Sequence, residues 1–522
     1  FMAQAQIITI VNEQTLQPIQ GVEVVKWNEG YPFAITGEEG IITVKDVSET
    51  QEIYFRKNGY DLYYTTLSKL KINKYTVKLK EKYNEMDEVV VSASRFEEKK
   101  KDVVQKIQVI RATEIQNLNQ ASTADVLANA GNIMVQKSQL GGGSPIIRGF
   151  EANKILIVVD GIRMNNAIYR GGHLQNVISL DNAIMDRVEI VYGPGSVVYG
   201  SDALGGVMSF STKNPILSTN GKTKVKANAY TRYMSVVSGY AAHADVSVGR
   251  KKFGSLTSFT YSNFGDLRQG ANRNPSVGNF GSRPWYVQQF NGKDSMIVNA
   301  DTNLQVGSGY AQYDVLQKFL FKQNENVKHT VNLQYSSSTR YYGPQNRLLA
   351  SYTLDISKNT KLYEEARLIV GYQQIEESRV DRRYQQVEQN NRIENLDIFT
   401  ANLDFAKFVG RHEIRYGMEG WYNNVQSTAF VKDISTGIES PLDTRYASGG
   451  ASMNSIAVYA THTIELSEKF ILNDGLRFSN VGLNAKFTDT TFFNFPFKEA
   501  KQNNNSLNGS IGLIYIQSAK CG

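Results

Sequence analysis

The sequence predicts a mainly β protein: a small β-sandwich, an α+β module, and an incomplete antiparallel transmembrane β-barrel. Three observations carry this. No run of about 18 apolar residues occurs, so no helix could cross a bilayer. Tyrosine (29), phenylalanine (24) and glycine (42) are nevertheless abundant over 522 residues, at a mean hydropathy of −0.36. From Lys222 onward, apolar and polar residues alternate in about twelve long stretches, the habit of membrane barrel strands.

The chain opens Phe1-Met2-Ala3-Gln4-Ala5, and Ala3-x-Ala5 reads as the small-residue end of a secretory signal, so residues 1–5 are a signal remnant. Residues 6–82 carry short β-rich runs at Ile7–Val11, Val22–Trp27, Ile41–Val44, Ile53–Phe55 and Tyr75–Leu79. Turn signals such as Gly37-Glu38-Glu39-Gly40 and Lys57-Asn58-Gly59 separate them. With Pro18-Ile19-Gln20-Gly21-Val22 and Gly59-Tyr60, this module resembles a carboxypeptidase-regulatory-like sandwich, a name that implies no peptidase activity.

Residues 83–95 read as a linker, and Met86-Asp87-Glu88-Val89-Val90-Val91-Ser92-Ala93 lies inside it. A β-branched triplet in a polar tether can add as a strand to another sheet. Residues 96–215 form the α+β module. Ser122 is placed to cap a helix, with Asp125 three residues on; Val126 and Leu127 face its core and Gly131 ends it. Arg187–Phe210, RVEIVYGPGSVVYGSDALGGVMSF, opens as a strand with Val188, Ile190 and Tyr192 on one face. It continues as a knot of short strands and turns. It is not a dinucleotide loop: the third glycine of G-x-G-x-x-G would fall at Val198, and Pro194 sits inside the turn.

Arg187–Phe210, together with Pro145-Ile146-Ile147-Arg148-Gly149-Phe150 and Leu156–Arg163 upstream, resembles the plug domain of TonB-dependent outer-membrane receptors. The resemblance implies a Gram-negative outer-membrane location, with the N-terminal domain in the periplasm. It implies that Asp87, Glu88, Val89, Val90 and Val91 are a Ton box offered to TonB, the energy-transducing partner. Arg148, Asp160, Arg163, Arg187 and Glu189 are charges inside apolar strand text. Buried charges must be paired, so they should form an ionic network within the plug or against the barrel wall.

Residues 216–522 read as barrel strands at 222–234, 238–250, 252–264, 310–322, 326–338, 347–357, 361–378, 392–408, 411–428, 453–466, 469–486 and 505–518. Short turns alternate with long polar segments at 265–309, 339–346, 379–391, 429–452 and 487–504; only the link near Ser235–Val237 is unexpectedly short. Short periplasmic turns and long outer loops are the rule in outer-membrane barrels. In 238–250, Tyr240, Ala242, Ala244, Val246 and Val248 should meet lipid, opposite Ala241, His243, Asp245 and Ser247; strand 252–264 has mixed faces. About twelve strands do not close the 22-strand barrel that the family implies, so an N-terminal fragment or truncated reading frame is expected.

The segment Gly141–Asp181 resembles the haem and haemoglobin receptor branch, which implies haem, a haem protein or another iron complex as cargo. Tyr169, His173, His243, Tyr341 and Tyr342 are the substrate-binding candidates, and His173 the candidate haem-iron ligand; Trp285 and Tyr286 are further loop aromatics. His329, His412 and His462 fall on the lipid-facing parity. Siderophore, cobalamin or glycan uptake remain alternatives, and so does a surface adhesin using residues 6–82. No resident cofactor is expected, and haem enters only as cargo. Net charge is +7 with both signs mixed and no basic aromatic face, which excludes nucleic acid. The one cysteine, Cys521, excludes a disulfide framework. Enzyme motifs fail: His412-Glu413 lacks the second histidine of H-E-x-x-H, because Tyr416 stands there, and no G-x-S-x-G or Walker loop occurs.

Overall fold

The computed structural model describes residues 6–516 apart from 14, 27–31, 58–59, 61, 81–88, 138–141, 170–176, 291, 340–343 and 468. It divides into two compact units, residues 1–89 with 99–101 and residues 90–98 with 102–522.

The first unit comprises β1 (Gln6–Asn12), β2 (Glu23–Lys26), β3 (Pro32–Ile35), β4 (Ile41–Val44), β5 (Glu52–Arg56), β6 (Tyr63–Thr66), α1 (Leu67–Ile72) and β7 (Thr76–Leu79). One sheet has the order β4-β1-β7, the other β3-β2-β5-β6. Alternate residues of both point inward: Ile8, Ile10 and Val44 from one, Val24, Ile53 and Phe55 from the other. The result is the expected two-layer sandwich. The sequence reading missed β3 and β6, because Pro-Phe-Ala-Ile and Tyr-Tyr-Thr-Thr lack a clear apolar alternation. The two-residue strands β8 (Val89–Val90) and β9 (Glu98–Lys99) follow in the chain.

The plug's elements are β10 (Lys106–Arg111), α2 (Ala112–Leu118), α3 (Thr123–Ala128), β11 (Ile133–Gln136), β12 (Ser144–Ile147), β13 (Ile155–Val159), β14 (Ile162–Arg163), β15 (Met185–Tyr192), α4 (Ser196–Tyr199) and β16 (Gly206–Thr212). Its main sheet has the order β10-β15-β16-β13-β14. Val188, Ile190 and Tyr192 do share one face, and they enter a core with Val126, Leu127, Ile157 and Phe210. Ser122 caps α3, its hydroxyl accepting from Asp125 N. The helix stops at Ala128 with Asn129 as C-cap, two residues before the expected Gly131. Val197–Tyr199, read as part of a strand-and-turn knot, is instead the one-turn helix α4. Two glycines are sterically required. Gly161 (φ 83°) follows Asp160 (φ 48°) in the tight β13–β14 turn, the Asp-Gly pattern that two positive-φ positions favour. A Cβ on Gly205 would lie 2.3 Å from Phe150 Cβ, so the residue that leads into β16 can carry no side chain.

The remaining strands are β17 (Lys224–Met234), β18 (Gly239–Gly249), β19 (Phe253–Phe264), β20 (Leu267–Arg268), β21 (Trp285–Phe290), β22 (Lys293–Val298), β23 (Leu304–Gln305), β24 (Tyr310–Lys322), β25 (Val327–Ser338), β26 (Gln345–Ser357), β27 (Glu365–Arg382), β28 (Glu388–Val409), β29 (His412–Asp433), β30 (Glu439–Pro441), β31 (Ala451–Ser467), β32 (Phe470–Lys486) and β33 (Glu499–Tyr515). The antiparallel meander β17-β18-β19-β24-β25-β26-β27-β28-β29-β31-β32-β33 reproduces the twelve expected strands, with β30 added beside β29. The polar segment 379–391 is mostly strand, since β27 and β28 pair out to Arg382 and Gln389.

Parity holds in β18: Tyr240, Val246 and Val248 are exposed, while His243, Asp245 and Ser247 are buried. The mixed faces of β19 also resolve. Its inward Leu256 meets plug residue Ile184, and its inward Phe264 meets plug residue Ile178. Apolar residues therefore occur on the inner wall where the plug presses on it. Each such fully buried side chain contributes roughly 1.5–3 kcal/mol.

Candidate functional site

The site is the interface between the plug and the inner face of the long sheet. Residues 90–98 form a strap along it. Val90 is fully buried among Ile107, Leu156, Val158 and Val191. The next two backbone groups end on one carboxylate: Val91 N and Ser92 N donate to Glu189 Oε2 at 2.9 and 2.7 Å. Glu189 is itself buried in β15, and Arg187 Nε lies 3.1 Å from its Oε1. A buried carboxylate that accepts from two backbone N–H groups is held by charge-assisted bonds, and the Arg187 guanidinium adds an ion pair. The strap then closes one turn, Arg95 N donating to Val91 O at 2.8 Å, with Arg95 at φ 70°. Left-handed backbone at a long side chain is unfavourable by about 1–3 kcal/mol and persists only where surrounding contacts enforce it.

Arg95 supplies those contacts. Its guanidinium pairs with Glu419 of β29, lies 3.4 Å from Asp404 Oδ1 of β28, and donates to Val198 O at 3.2 Å. It also lies over the Tyr199 and Tyr459 rings, 5.0 and 5.6 Å from their centroids. Burial alone would lower its pKa, but the Asp404 and Glu419 carboxylates outweigh it and hold the guanidinium firmly charged. Glu419 also receives Arg163 Nη2 at 3.0 Å and Arg477 Nη2 at 3.5 Å. Arg163 bonds within the plug as well, to Asp202 Oδ2 at 2.8 Å. One inner-wall carboxylate thus joins the strap, the β14 end and β32. At the strap's far end, burial pushes the Glu98 carboxyl up to about 7 against the pull of Arg415, whose Nη1 is 3.1 Å away.

A second contact point forms at Asp160. The β13–β14 turn aims its carboxylate at both partners: Thr212 Oγ1 of the plug donates at 2.7 Å, Asn332 and Gln334 of β25 each at 3.0 Å, and Lys318 Nζ lies 3.2 Å away. Asp160, Arg163, Arg187 and Glu189 are therefore all engaged, as two clusters against the wall and one pair within the plug. Arg148 is the exception. It is exposed at a turn, and its guanidinium sits 5.7 Å from the Tyr192 ring centroid, because the Ile147–Phe150 bridge turns the chain outward there. Arg95, Asp404, Glu419 and Arg477 escaped the sequence reading. A charge on the inner parity of a strand looks like any water-facing residue until its partner, more than 300 residues away for Arg95 and Glu419, is in place.

Of the substrate candidates, Tyr169 ends a segment held against the wall. Ile168 packs among Leu396, Ile398 and Val425, Ala167 N donates to Asn423 Oδ1 at 3.2 Å, and Tyr446 Oη donates to Ile168 O at 3.2 Å. His243 faces inward but is buried, with Thr260 Oγ1 at 2.7 Å and Asp245 Oδ2 at 3.0 Å on its two ring nitrogens. It is remote from Tyr169 in the sheet order and fully partnered. Residues 1–5, Asp87, Glu88, His173, Tyr341 and Tyr342 lie outside the described residues. Trp285 is half exposed on β21, in the loop after β19. No described helix is long and apolar enough to cross a membrane; this leaves strands free to do so.

An inward-facing globular module, pinned to the inner wall of a long antiparallel meander with an apolar outer face, defines a plugged outer-membrane barrel. Two family models agree: "TonB-dependent Receptor Plug Domain" matches residues 99–207 and "TonB dependent receptor-like, beta-barrel" matches residues 248–518. The chain belongs to the TonB-dependent receptor family. It is 32% identical over 259 residues to the vitamin B12 transporter BtuB of Vibrio vulnificus (strain CMCP6), across 48% of this chain and 40% of that protein. The chain thus spans less than half the length of that relative. Among solved structures, the copper transporter OprC superposes with a TM-score of 0.60 at 13% identity, over 74% of this chain and 57% of the other. The unliganded ferric citrate transporter FecA does so with a TM-score of 0.59 at 15% identity, over 80% and 62%.

Proposed function

We propose that this chain takes part in energised import of a scarce nutrient, with TonB pulling on Asp87–Val91 and the plug yielding along the strap. The observation that carries this is the seat of Val91 and Ser92 on Glu189. It fastens the last residue of the Ton box and the residue after it to a side chain of β15, so tension there loads β15 first. Residues 6–82 are read as a periplasmic accessory module. Proline at position 90 removes a backbone donor from the strand that TonB would pair with. Val90→Pro should abolish uptake while the protein still reaches the outer membrane; uptake at the normal rate would refute the reading.

For cargo we propose haem, with His173 as iron ligand and Tyr169 as a stacking aromatic, because neutral imidazole is a good iron ligand and aromatic rings stack on flat macrocycles. The second reading is cobalamin, favoured by the 32% identity to a vitamin B12 transporter. Fold alone does not choose, since OprC and FecA are named for copper and ferric citrate. His173→Ala should cost haem-dependent growth and leave cobalamin-dependent growth unchanged. Loss of the latter alone would favour cobalamin.

A further inference from the structure

We propose that His412 and His462, backed by Asp474, form a two-imidazole site for a divalent transition metal on the outward face of the long sheet, at its periplasmic end. The site is independent of the import reading above, because it lies on the opposite side of the wall from the plug. In the chain the two histidines are 50 residues apart, and each reads singly as a lipid-facing position. Strand register brings them together. His462 of β31 lies directly opposite Ile414 of β29 and Asp474 of β32, while His412 sits on the diagonal, opposite Ile464. Their side of β31 is the outward one, since Ile456 and Val458 are exposed and Ala457 and Tyr459 buried. His412 Nδ1 is 3.0 Å from His462 Nε2, and His462 Nδ1 is 3.1 Å from Asp474 Oδ2. The two rings are 14° from parallel, with centroids 5.2 Å apart.

A carboxylate only accepts, so Asp474 fixes the hydrogen of a neutral His462 ring on Nδ1 and leaves Nε2 with its lone pair facing His412. A carboxylate on one imidazole nitrogen and an ion on the other is the arrangement that orients metal-binding histidines and strengthens them as ligands. Without metal, the hydrogen of His412 Nδ1 fills the gap between the rings. An ion can replace it, since two imidazoles held at about 2.0–2.1 Å on a tetrahedral ion stand roughly 3.3 Å apart. His412 is exposed at the first position of β29, just past the turn at Gly410 and Arg411, so its ring has room to swing until both lone pairs meet one ion. Among the described residues no lysine or arginine pairs with Asp474, whose charge is left to His462. No three described His, Cys, Asp or Glu side chains converge on one point, so Asp474 acts from behind and water completes the shell. Nitrogen ligands select Cu²⁺, Ni²⁺ or Zn²⁺ and reject Mg²⁺ and Ca²⁺, which take oxygen. The bound ion would tie β29 to β31 at the rim.

Metal titration of the full chain in detergent micelles tests the site. A His173→Gln, Cys521→Ser background removes the other candidate imidazole ligand and the one thiol. Cu²⁺ should then bind with the nitrogen splitting of two imidazoles in its electron paramagnetic resonance spectrum. Zn²⁺ should compete for the site, and about a hundredfold excess of Mg²⁺ should not. His412→Gln and His462→Gln should each weaken Cu²⁺ binding by about tenfold or more, and Asp474→Asn, which keeps both ligands, by about tenfold. All three side chains are at least partly exposed, so the variants keep the fold. His329→Gln should change nothing, because that ring is already partnered by Tyr352 and Gln323. Zn²⁺ should raise the thermal unfolding temperature of the background chain and leave that of His412→Gln unmoved. Equal Cu²⁺ affinity in His412→Gln and His462→Gln, oxygen-only coordination, displacement by Mg²⁺, or an equal loss in His329→Gln would overturn the site. Unchanged affinity in Asp474→Asn would overturn the part given to the carboxylate.

Discussion

Two segments of the plug reach the same strand, β29, by different means. The strap does so through Arg95 on Glu419; the apical segment before Tyr169 does so through Ala167 on Asn423 and Ile168 among Leu396, Ile398 and Val425. Glu419 and Asn423 are both buried on the inner face of β29, four residues apart. On β29 the strap's anchor is ionic and geometrically demanding, while Val90 and Phe96 add buried apolar contacts elsewhere along the strap; the apical anchor is mostly apolar. Polar grips exchange for water in steps, while apolar burial resists until the whole contact parts. The difference fits a strap made to leave and an apex made to stay.

The sharpest way to break this comparison is to remove Glu419, which serves Arg95, Arg163 and Arg477 together. Glu419→Ala strands buried guanidinium charge, and we expect a loss of about 3–5 kcal/mol of plug stability in denaturant titrations. Ile168→Ala should cost about 2–5 kcal/mol, confined to the apical segment, and leave hydrogen exchange of residues 90–98 unchanged. If exchange in the strap rose equally, the two anchors would be one cooperative unit. Gly205→Ala, which forces a Cβ against Phe150 Cβ, should cost roughly 1–3 kcal/mol and be partly restored by Phe150→Gly but not by Phe150→Ala, which keeps the clashing Cβ, as read by thermal unfolding.

The smallest effect is the pH response of Glu98. Its carboxyl is raised to about 7 by burial, with Arg415 opposing and Glu413 and Asp102 adding to the rise. The docked form therefore binds the proton more tightly than the free form. Its stabilisation is fully present below the ordinary carboxylate range and is lost as pH rises through about 7. Exchange protection of residues 90–98, corrected for intrinsic rates, should fall across that window and become flat in Glu98→Gln.

Much of the fold was legible because lipid imposes a strict rule on outward residues. Tyr240, Val246 and Val248 had to alternate with His243, Asp245 and Ser247, and they do. The plug strand β15 was legible from Val188, Ile190 and Tyr192 for the same geometric reason. The helix α4 was not, since four residues between glycines carry no periodicity. Nor were the anchors of the site. Asp160 and Glu189 stood out as charges inside apolar strands, but Glu419 and Arg477 sit on inner faces where polar residues are the norm. Arg95 lies in text that reads as tether, and only its left-handed turn and its distant partners mark it.

The most direct measurement is single-molecule pulling from a handle at Met86→Cys, with the sheet held in a membrane. Residues 90–97 should release first, as a step of roughly 25–30 Å before any larger extension, since an extended chain spans about 3.3–3.6 Å per residue. The force of that step should fall in Glu189→Ala. A single long extension in which the strap and the plug sheet leave together, insensitive to Glu189, would contradict the separate release of the strap from the rest of the plug.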